Sequence, residues 1–240
     1  MNNLLDRNLF TQIGLDSGAV TMLGSVVHRF GEPGEYRGTV RSGDRLQATF
    51  YISVDPTCAV AELLIDLAKL TAPPSAQDDC CSEEPGKQRL IVHPRGYAVF
   101  HVSSGAGGYH VNIRRADEKR EVRAYDTRTL QPEDIFAGVL LRPGTYTIRN
   151  LLSHAAAEAI VSYPVSGETA YRPPAPMSVE VGDTIEPRRV ELRPAQGLNM
   201  HVKAPARIKI ELTKPDDGPT KRPAAGRPGL QRHGLPGKKE

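Results

Sequence analysis

The chain has no tryptophan, only three cysteines, and aromatic side chains at 5% of its 240 positions. No segment approaches the roughly 18 consecutive apolar residues of a membrane-spanning helix, so we expect a soluble protein without a membrane span. Three cysteines cannot all pair, and Cys80 and Cys81 are neighbours, which argues against a disulfide framework. The N-terminus lacks the cationic start and apolar core of a secretion signal. We therefore predict a cytoplasmic protein.

Glycine and proline are abundant, with 22 and 20 residues. This content exceeds the usual share of about 12% and predicts many turns between short elements rather than a helix bundle. Apolar and polar side chains alternate most clearly over residues 45–54, as they do in a half-buried strand. The sequence therefore predicts an all-β protein: an antiparallel β-sandwich of the immunoglobulin or cupredoxin type, with an additional C-terminal β segment and a disordered tail.

Composition divides the chain into four parts. They are an N-terminal extension (1–18), a β-sandwich domain (19–165), an additional β segment (177–213) that belongs to the same sandwich or forms a small second β domain, and a basic tail (214–240). The tail is rich in Lys, Arg, Pro and Gly, and it has too few large apolar side chains to offset its ordering entropy. We predict that the tail is disordered and that it could contact nucleic acid.

Two histidines are candidate metal ligands. Residues 97–114 predict a β-hairpin closed by the glycine-rich turn at 104–107, and this register places His101 opposite His110. Opposed Cβ atoms lie about 4.5–5.5 Å apart, so both imidazoles could hold one zinc or copper ion. His93 is too far along the chain to complete the site. Two solvated histidines on a polar sheet face are the alternative reading, and we expect no cofactor.

A short motif recurs along the chain. It occurs as Pro33-Gly34-Glu35-Tyr36, as Gly107-Gly108-Tyr109 and as Pro143-Gly144-Thr145-Tyr146. In each case a glycine turn leads a tyrosine into a strand, where the ring can be buried and the hydroxyl can return to the backbone. We interpret the motif as part of the scaffold, because it is too short and irregular to predict a repeat protein.

The third occurrence opens a segment, residues 143–159, that resembles the closing segment of cupredoxin domains. In those domains a Pro-Gly-Thr-Tyr strand leads into the Cys, His and Met that bind type-1 copper. Here Asn150 stands near the Cys position, His154 near the His with a spacing one residue short, and Ala159 near the Met. Because the thiolate and the thioether are missing, the resemblance implies a copper-free cupredoxin-like sandwich.

The sequence contains neither the Gly-x-Ser-x-Gly nucleophile motif nor a phosphate-binding loop, and we predict that the protein is not an enzyme. Outside the tail, basic residues alternate with acidic ones, which we interpret as solvated sheet faces. The main prediction is a non-catalytic binding or structural module that engages a protein partner or self-associates. The alternatives are a metal-binding protein or metal-dependent enzyme using His101 and His110, and a nucleic-acid-binding accessory protein acting through residues 214–240.

Overall fold

The computed structural model describes residues 12–72, 88–117, 120–163 and 171–218. Over these ranges the chain forms β-strands and one five-residue helix, which confirms the all-β class. The strands are β1 (Gly14–Asp16), β2 (Gly24–Arg29), β3 (Gly34–Ser42), β4 (Arg45–Val54), β5 (Glu62–Asp66), β6 (Gln88–Val92), β7 (Tyr97–His101), β8 (Tyr109–Asp117), β9 (Arg120–Asp126), β10 (Ile135–Val139), β11 (Gly144–Asn150), β12 (Ala156–Val161), β13 (Met177–Val181), β14 (Ile185–Glu186), β15 (Arg189–Leu192), β16 (Gly197–Val202) and β17 (Ile208–Pro215). The helix is α1 (Leu67–Thr71). No helix in the described ranges has the length and apolar content needed to cross a membrane.

The strands form three sheets. The first flanking sheet has the order β6-β4-β3-β8-β9, the second flanking sheet β1-β17-β11-β12-β15, and the shared sheet β14-β13-β16-β10-β2-β7-β5. Antiparallel pairs predominate, but each sheet also contains parallel pairing, at β4–β6, β12–β15, β13–β16 and β5–β7. The sheets are therefore mixed, with the antiparallel pairing that we predicted predominating.

One strand arrangement occurs twice along the chain. In the first repeat (residues 14–117) β3 is the central strand of a flanking sheet, and in the second repeat (124–215) β11 takes this place. Tyr36 and Tyr146 occupy matching positions in these two strands. Two isolated bridges also match: Val20 with Tyr109, and Leu130 with Ala206. The Pro-Gly-x-Tyr motif therefore marks a structural repeat, although we considered the motif too short and irregular to predict one.

The two repeats meet in the middle of the shared sheet. There β2 pairs with β10 in antiparallel fashion, and Val26 lies directly opposite Phe136. Because these two residues hold the same position in their own repeats, a pseudo-two-fold axis passes beside this pair. The shared sheet is therefore continuous across both halves of the protein.

Each repeat contributes its first strand to the flanking sheet of the other. β1 pairs with β17 of the second repeat, and β9, which leads into the second repeat, pairs with β8 of the first. The predicted N-terminal extension (1–18) thus contains a strand of the fold. The strands within 177–213 pair with β10, β11 and β12. Division of the chain into separately folding domains stays a prediction.

The core lies between the shared sheet and the flanking sheets. In the first repeat Phe50 of β4 packs on Phe100 of β7, with ring centroids 6.3 Å apart, and Tyr125 of β9 stacks on Phe100 at 5.8 Å. A Cβ atom added to Gly38 would lie 2.1 Å from the Phe50 ring. The glycine therefore makes room for the central aromatic cluster.

The two matching tyrosines return their hydroxyls to the backbone, as the sequence predicted. Tyr36 donates to the Glu32 carbonyl at 2.7 Å, and Tyr146 donates to the Arg142 carbonyl at 2.8 Å. Both rings are buried. We expect Tyr36→Phe and Tyr146→Phe each to lower the free energy of unfolding by about 1 kcal/mol in urea titrations.

Tyr163 offers a matched control, because it donates to the Asp216 carbonyl at 2.7 Å from a ring that is 44% exposed. Water can replace this hydrogen bond, so Tyr163→Phe should cost less than about 0.5 kcal/mol. If Tyr36→Phe and Tyr146→Phe lower the free energy of unfolding no more than Tyr163→Phe does, the buried hydroxyls do not stabilise the turns.

Candidate functional site

The outer surface of the first flanking sheet carries a cluster of arginines. Along β3, Tyr36 and Val40 are buried in the core, so the alternating residues Arg37, Thr39 and Arg41 project to the opposite side. On the neighbouring strand β8 the same face is formed by His110, Asn112 and Arg114. The strand period therefore places these side chains on one surface.

These side chains line a cavity of about 440 Å³. We call this surface the arginine face; it consists of Arg37, Thr39, Arg41, Gly43, Asp44, Leu46, His110, Asn112, Arg114 and Arg128. Four of its members are arginines. Asp44 is the only carboxylate in this lining. Asp126 lies beside the face and forms an ion pair with Arg128. The face is therefore a cationic concavity.

The strand register arranges the arginine face in three rows. Arg37 pairs with Arg114, Thr39 with Asn112, and Arg41 with His110. The outer rows carry the cationic groups, and they stand about 13 Å apart along the strands, four residues at the usual rise. In the middle row the Thr39 hydroxyl donates to the Asn112 carbonyl at 3.3 Å. The site thus has two cationic ends with a neutral polar row between them.

Asp126 holds one side of the arginine face in place. Its carboxylate, 3% exposed, contacts Arg128 at 3.3 Å and Arg123 at 3.1 Å, and it accepts a hydrogen bond from the Asn112 amide at 3.2 Å. Burial raises the pKa of Asp126, but the hydrogen bonds from Arg128 and the charges of Arg128 and Arg123 outweigh it and hold this pKa below its ordinary value. Asp126 is therefore an ionised anchor for Arg128.

His110 is the titratable residue of the face. It is 5% exposed, and its Nε2 atom has no hydrogen-bond partner among the described residues. Burial lowers the pKa of His110, and the nearby charges of Arg128 and Arg41 lower it further, against the opposing effect of Asp126 and Asp44. The imidazole is therefore held in its neutral form around pH 7.

The strands of the second repeat that match β3 and β8 provide an internal comparison for the arginine face. The rows that match those of the arginine face are Thr147 with Glu211, Arg149 with Lys209, and Leu151 with Arg207. Two of these cations are paired, Lys209 with Glu211 at 2.8 Å and Arg207 with Asp16 at 3.1 Å. The matching rows thus also hold three cations, but they carry Glu211 where the arginine face has Arg114.

The structure separates the two predicted metal ligands. His101 lies in β7 of the shared sheet, opposite Ser25 and Asp66, whereas His110 lies in β8 of the first flanking sheet, opposite Arg41. The predicted 97–114 hairpin is wrong, because the glycine-rich segment carries the chain from one sheet to another. No group of three potential ligands occurs in the ranges that the structure describes. Metal binding by His101 and His110 stays a prediction.

The sequence did contain a signal for the arginine face. Arg37 and Arg41 are an even number of residues apart in one predicted strand, so they share a face. We interpreted the basic residues outside the tail as parts of solvated faces, because the sequence does not show which strand lies beside β3. The contribution of Arg114 and Arg128 depends on that neighbour.

The positions that resemble cupredoxin ligands lie away from this face. Asn150 is fully buried, and its amide donates to the Gly182 carbonyl at 3.0 Å, while its oxygen accepts from the Leu152 and Arg207 backbone N–H groups. Asn150 therefore joins three backbone segments of the second repeat. His154 follows in the turn with a φ of 63°.

Comparison with known proteins gives no relative: no family model, no curated protein and no solved structure matches the chain. The function has to be argued from the chemistry of the site. The two repeats supply an internal comparison, and it shows Arg114 of the arginine face in the place of Glu211.

Proposed function

We propose that this protein is a non-catalytic binding module that engages a protein partner, and that the arginine face binds an acidic segment of that partner. The observation that supports the proposal is the convergence of four arginines on one cavity, whose lining includes a single carboxylate, that of Asp44. A concave surface with an excess of positive charge is complementary to a ligand of opposite charge.

The chemistry of the lining fits carboxylates. The planar guanidinium group presents paired N–H donors that match a carboxylate in bidentate fashion, and it stays charged at every physiological pH. Between the two cationic rows, Thr39 and Asn112 offer polar groups that an extended backbone can meet. An extended acidic peptide along β3 and β8 would therefore contact both rows.

Nucleic acid fits the arginine face less well. Proteins that bind single strands stack bases on aromatic side chains, and the described lining of this cavity contains no Phe, Tyr or Trp. The predicted nucleic-acid contact through residues 214–240 is a separate alternative, and it lies largely outside the described residues. Self-association and a cytoplasmic location also remain proposals.

We further propose that each repeat is a sandwich of the immunoglobulin or cupredoxin type. The support comes from Tyr36 and Tyr146, whose hydroxyls bond to carbonyls four residues upstream, as in the tyrosine corner of such sandwiches. Mixed sheets and the exchange of β1 and β9 are departures from the simple immunoglobulin arrangement.

A charge reversal tests the arginine face. Arg41 donates to the Asp44 carbonyl at the rim of the cavity, and Arg149 lies exposed on the matching face of the second repeat. We expect Arg41→Glu to weaken binding of a fluorescein-labelled octa-aspartate peptide about tenfold in anisotropy titrations at low salt. The matched control Arg149→Glu should leave the dissociation constant unchanged.

Equal losses in both variants would mean that only the overall charge matters, which would contradict a site at the arginine face. Tighter binding of an oligothymidylate with the same number of charges would assign the face to nucleic acid and overturn the proposed partner. A peptide that does not bind the unaltered protein would also overturn it.

A further inference from the structure

One of the positions at which the two repeats differ lies in the outer row of the arginine face that contains Arg41. In the second repeat this position holds Arg207, a fixed cation paired with Asp16 at 3.1 Å. In the first repeat the same position holds His110, and the aspartate that matches Asp16 is bound by Arg128 instead. The fixed charge of one repeat is thus replaced by a titratable group in the other.

Resting on the proposed function, we propose that His110 makes the arginine face pH-responsive: the face binds its acidic partner more tightly as the pH falls, because the imidazole gains a proton and offers Nε2–H to a carboxylate of the partner. Three structural facts carry this inference. His110 lines the cavity, it is buried, and its Nε2 atom has no partner among the described residues. A buried polar atom without a partner is costly, and a ligand oxygen would satisfy it.

The charged groups around His110 come from three elements. Arg41 of β3 lies opposite it, Asp44 follows in the turn, and Asp126 and Arg128 approach from β9 and the residues after it. The Asp126 carboxylate already binds Arg128, and Arg41 donates to the backbone carbonyl of Asp44 rather than to its carboxylate. The free site therefore disfavours a second positive charge.

Burial and Arg128 lower the pKa of His110 in the free protein. A bound carboxylate adds a negative charge and raises this pKa, so the complex takes up a proton from solvent over the interval between the two values. Affinity rises across that interval as the pH falls, and each unit of difference corresponds to about tenfold in the dissociation constant.

Acid also acts on the fold. The folded-state pKa of His110 lies below the unfolded-state value, so its contribution to stability is fully present above about pH 6.5 and is lost progressively as the pH falls through the folded value. Far-UV circular dichroism must therefore show an intact fold at each pH where binding is measured.

The test measures octa-aspartate affinity of the full chain between about pH 7.5 and about pH 5.5, where the peptide stays ionised. We expect the dissociation constant of the unaltered protein to fall about tenfold over this range. His110→Gln should bind weakly with no pH dependence. His110→Arg, which copies the matching position of the second repeat, should bind tightly at both ends of the range.

His201 serves as the matched control, because it lies outside the arginine face, in β16 of the shared sheet. His201→Gln should keep the full pH dependence. If the unaltered protein binds with the same affinity at every pH, or if His110→Gln keeps the slope, the role of His110 is excluded while the binding face itself stands. Failure of the peptide to bind at any pH would remove the proposed function as well.

Discussion

A chain that lacks residues 1–18 is expected to lose about 4 kcal/mol of unfolding free energy, although this segment contributes a strand of only three described residues. The reason is the exchange of first strands. Leu15 is 4% exposed, and the Ser17 hydroxyl accepts a hydrogen bond from the Ile208 N–H at 3.1 Å. Removing them opens the edge of the second flanking sheet and leaves a cavity where Leu15 was.

Urea unfolding followed by far-UV circular dichroism measures this loss, since the chain has no tryptophan to report by fluorescence. A matched control lacks only residues 1–11 and keeps β1 intact. The stability difference between the two truncated chains isolates the contribution of β1. If both truncated chains have the same free energy of unfolding, β1 and the strand exchange do not stabilise the second repeat.

The sequence predicted the secondary structure from alternation, because the side-chain period of two reveals which residues face the core. The expected strand over residues 45–54 is β4 (Arg45–Val54), and the tyrosines after the Pro-Gly turns return their hydroxyls as expected. These features depend on local chemistry, so a single sequence is sufficient to predict them.

Strand partners could not be predicted in the same way. The alternation in β7 and β8 is satisfied equally by a hairpin and by two strands in different sheets, since it shows which face is buried and not what covers it. Phe100 therefore faces the core as expected, yet it lies opposite Val26 and Ile65 rather than Val111. Because of this error we placed His101 opposite His110, whereas the two lie in different sheets.

The candidate site was missed for the same reason. The arginines of β3 and β8 become one cluster only through the pairing of these strands, which joins residues far apart in sequence. The duplication was also hidden, because most matching positions carry different residues, as where His110 corresponds to Arg207. Asp16-Ser17 and Asp126-Thr127, which match in structure, were the additional signal beside the Pro-Gly-x-Tyr motif.

A second large effect is expected at the junction of the two repeats. Asp134, 3% exposed, lies just before β10 of the second repeat and contacts Nδ1 of His28 in β2 of the first repeat at 2.8 Å. Its other oxygen accepts from the Gln131 N–H at 2.7 Å. The His28 ring stacks on Tyr125 at 4.1 Å, so one carboxylate positions an aromatic pair inside the core.

We expect Asp134→Ala to lower the free energy of unfolding by about 2 kcal/mol, because it removes the buried carboxylate that binds the largely buried His28 ring and accepts from the Gln131 N–H. Asp134→Asn keeps an acceptor for the Gln131 N–H and should cost about 1 kcal/mol. Urea titrations measure both. Glu133→Ala, at the neighbouring residue whose side chain is 75% exposed, is the control and should change stability by less than about 0.5 kcal/mol.

The number of unfolding transitions shows whether the two repeats unfold together. Because the shared sheet runs through both repeats, we expect Asp134→Ala to shift one cooperative transition without splitting it. Two separate transitions in this variant would show that the repeats unfold independently once the contact between Asp134 and His28 is lost. A loss no larger than that of Asp134→Asn would mean that the His28 ring and the Gln131 N–H find other partners, and that the junction is held by the pairing of β2 with β10.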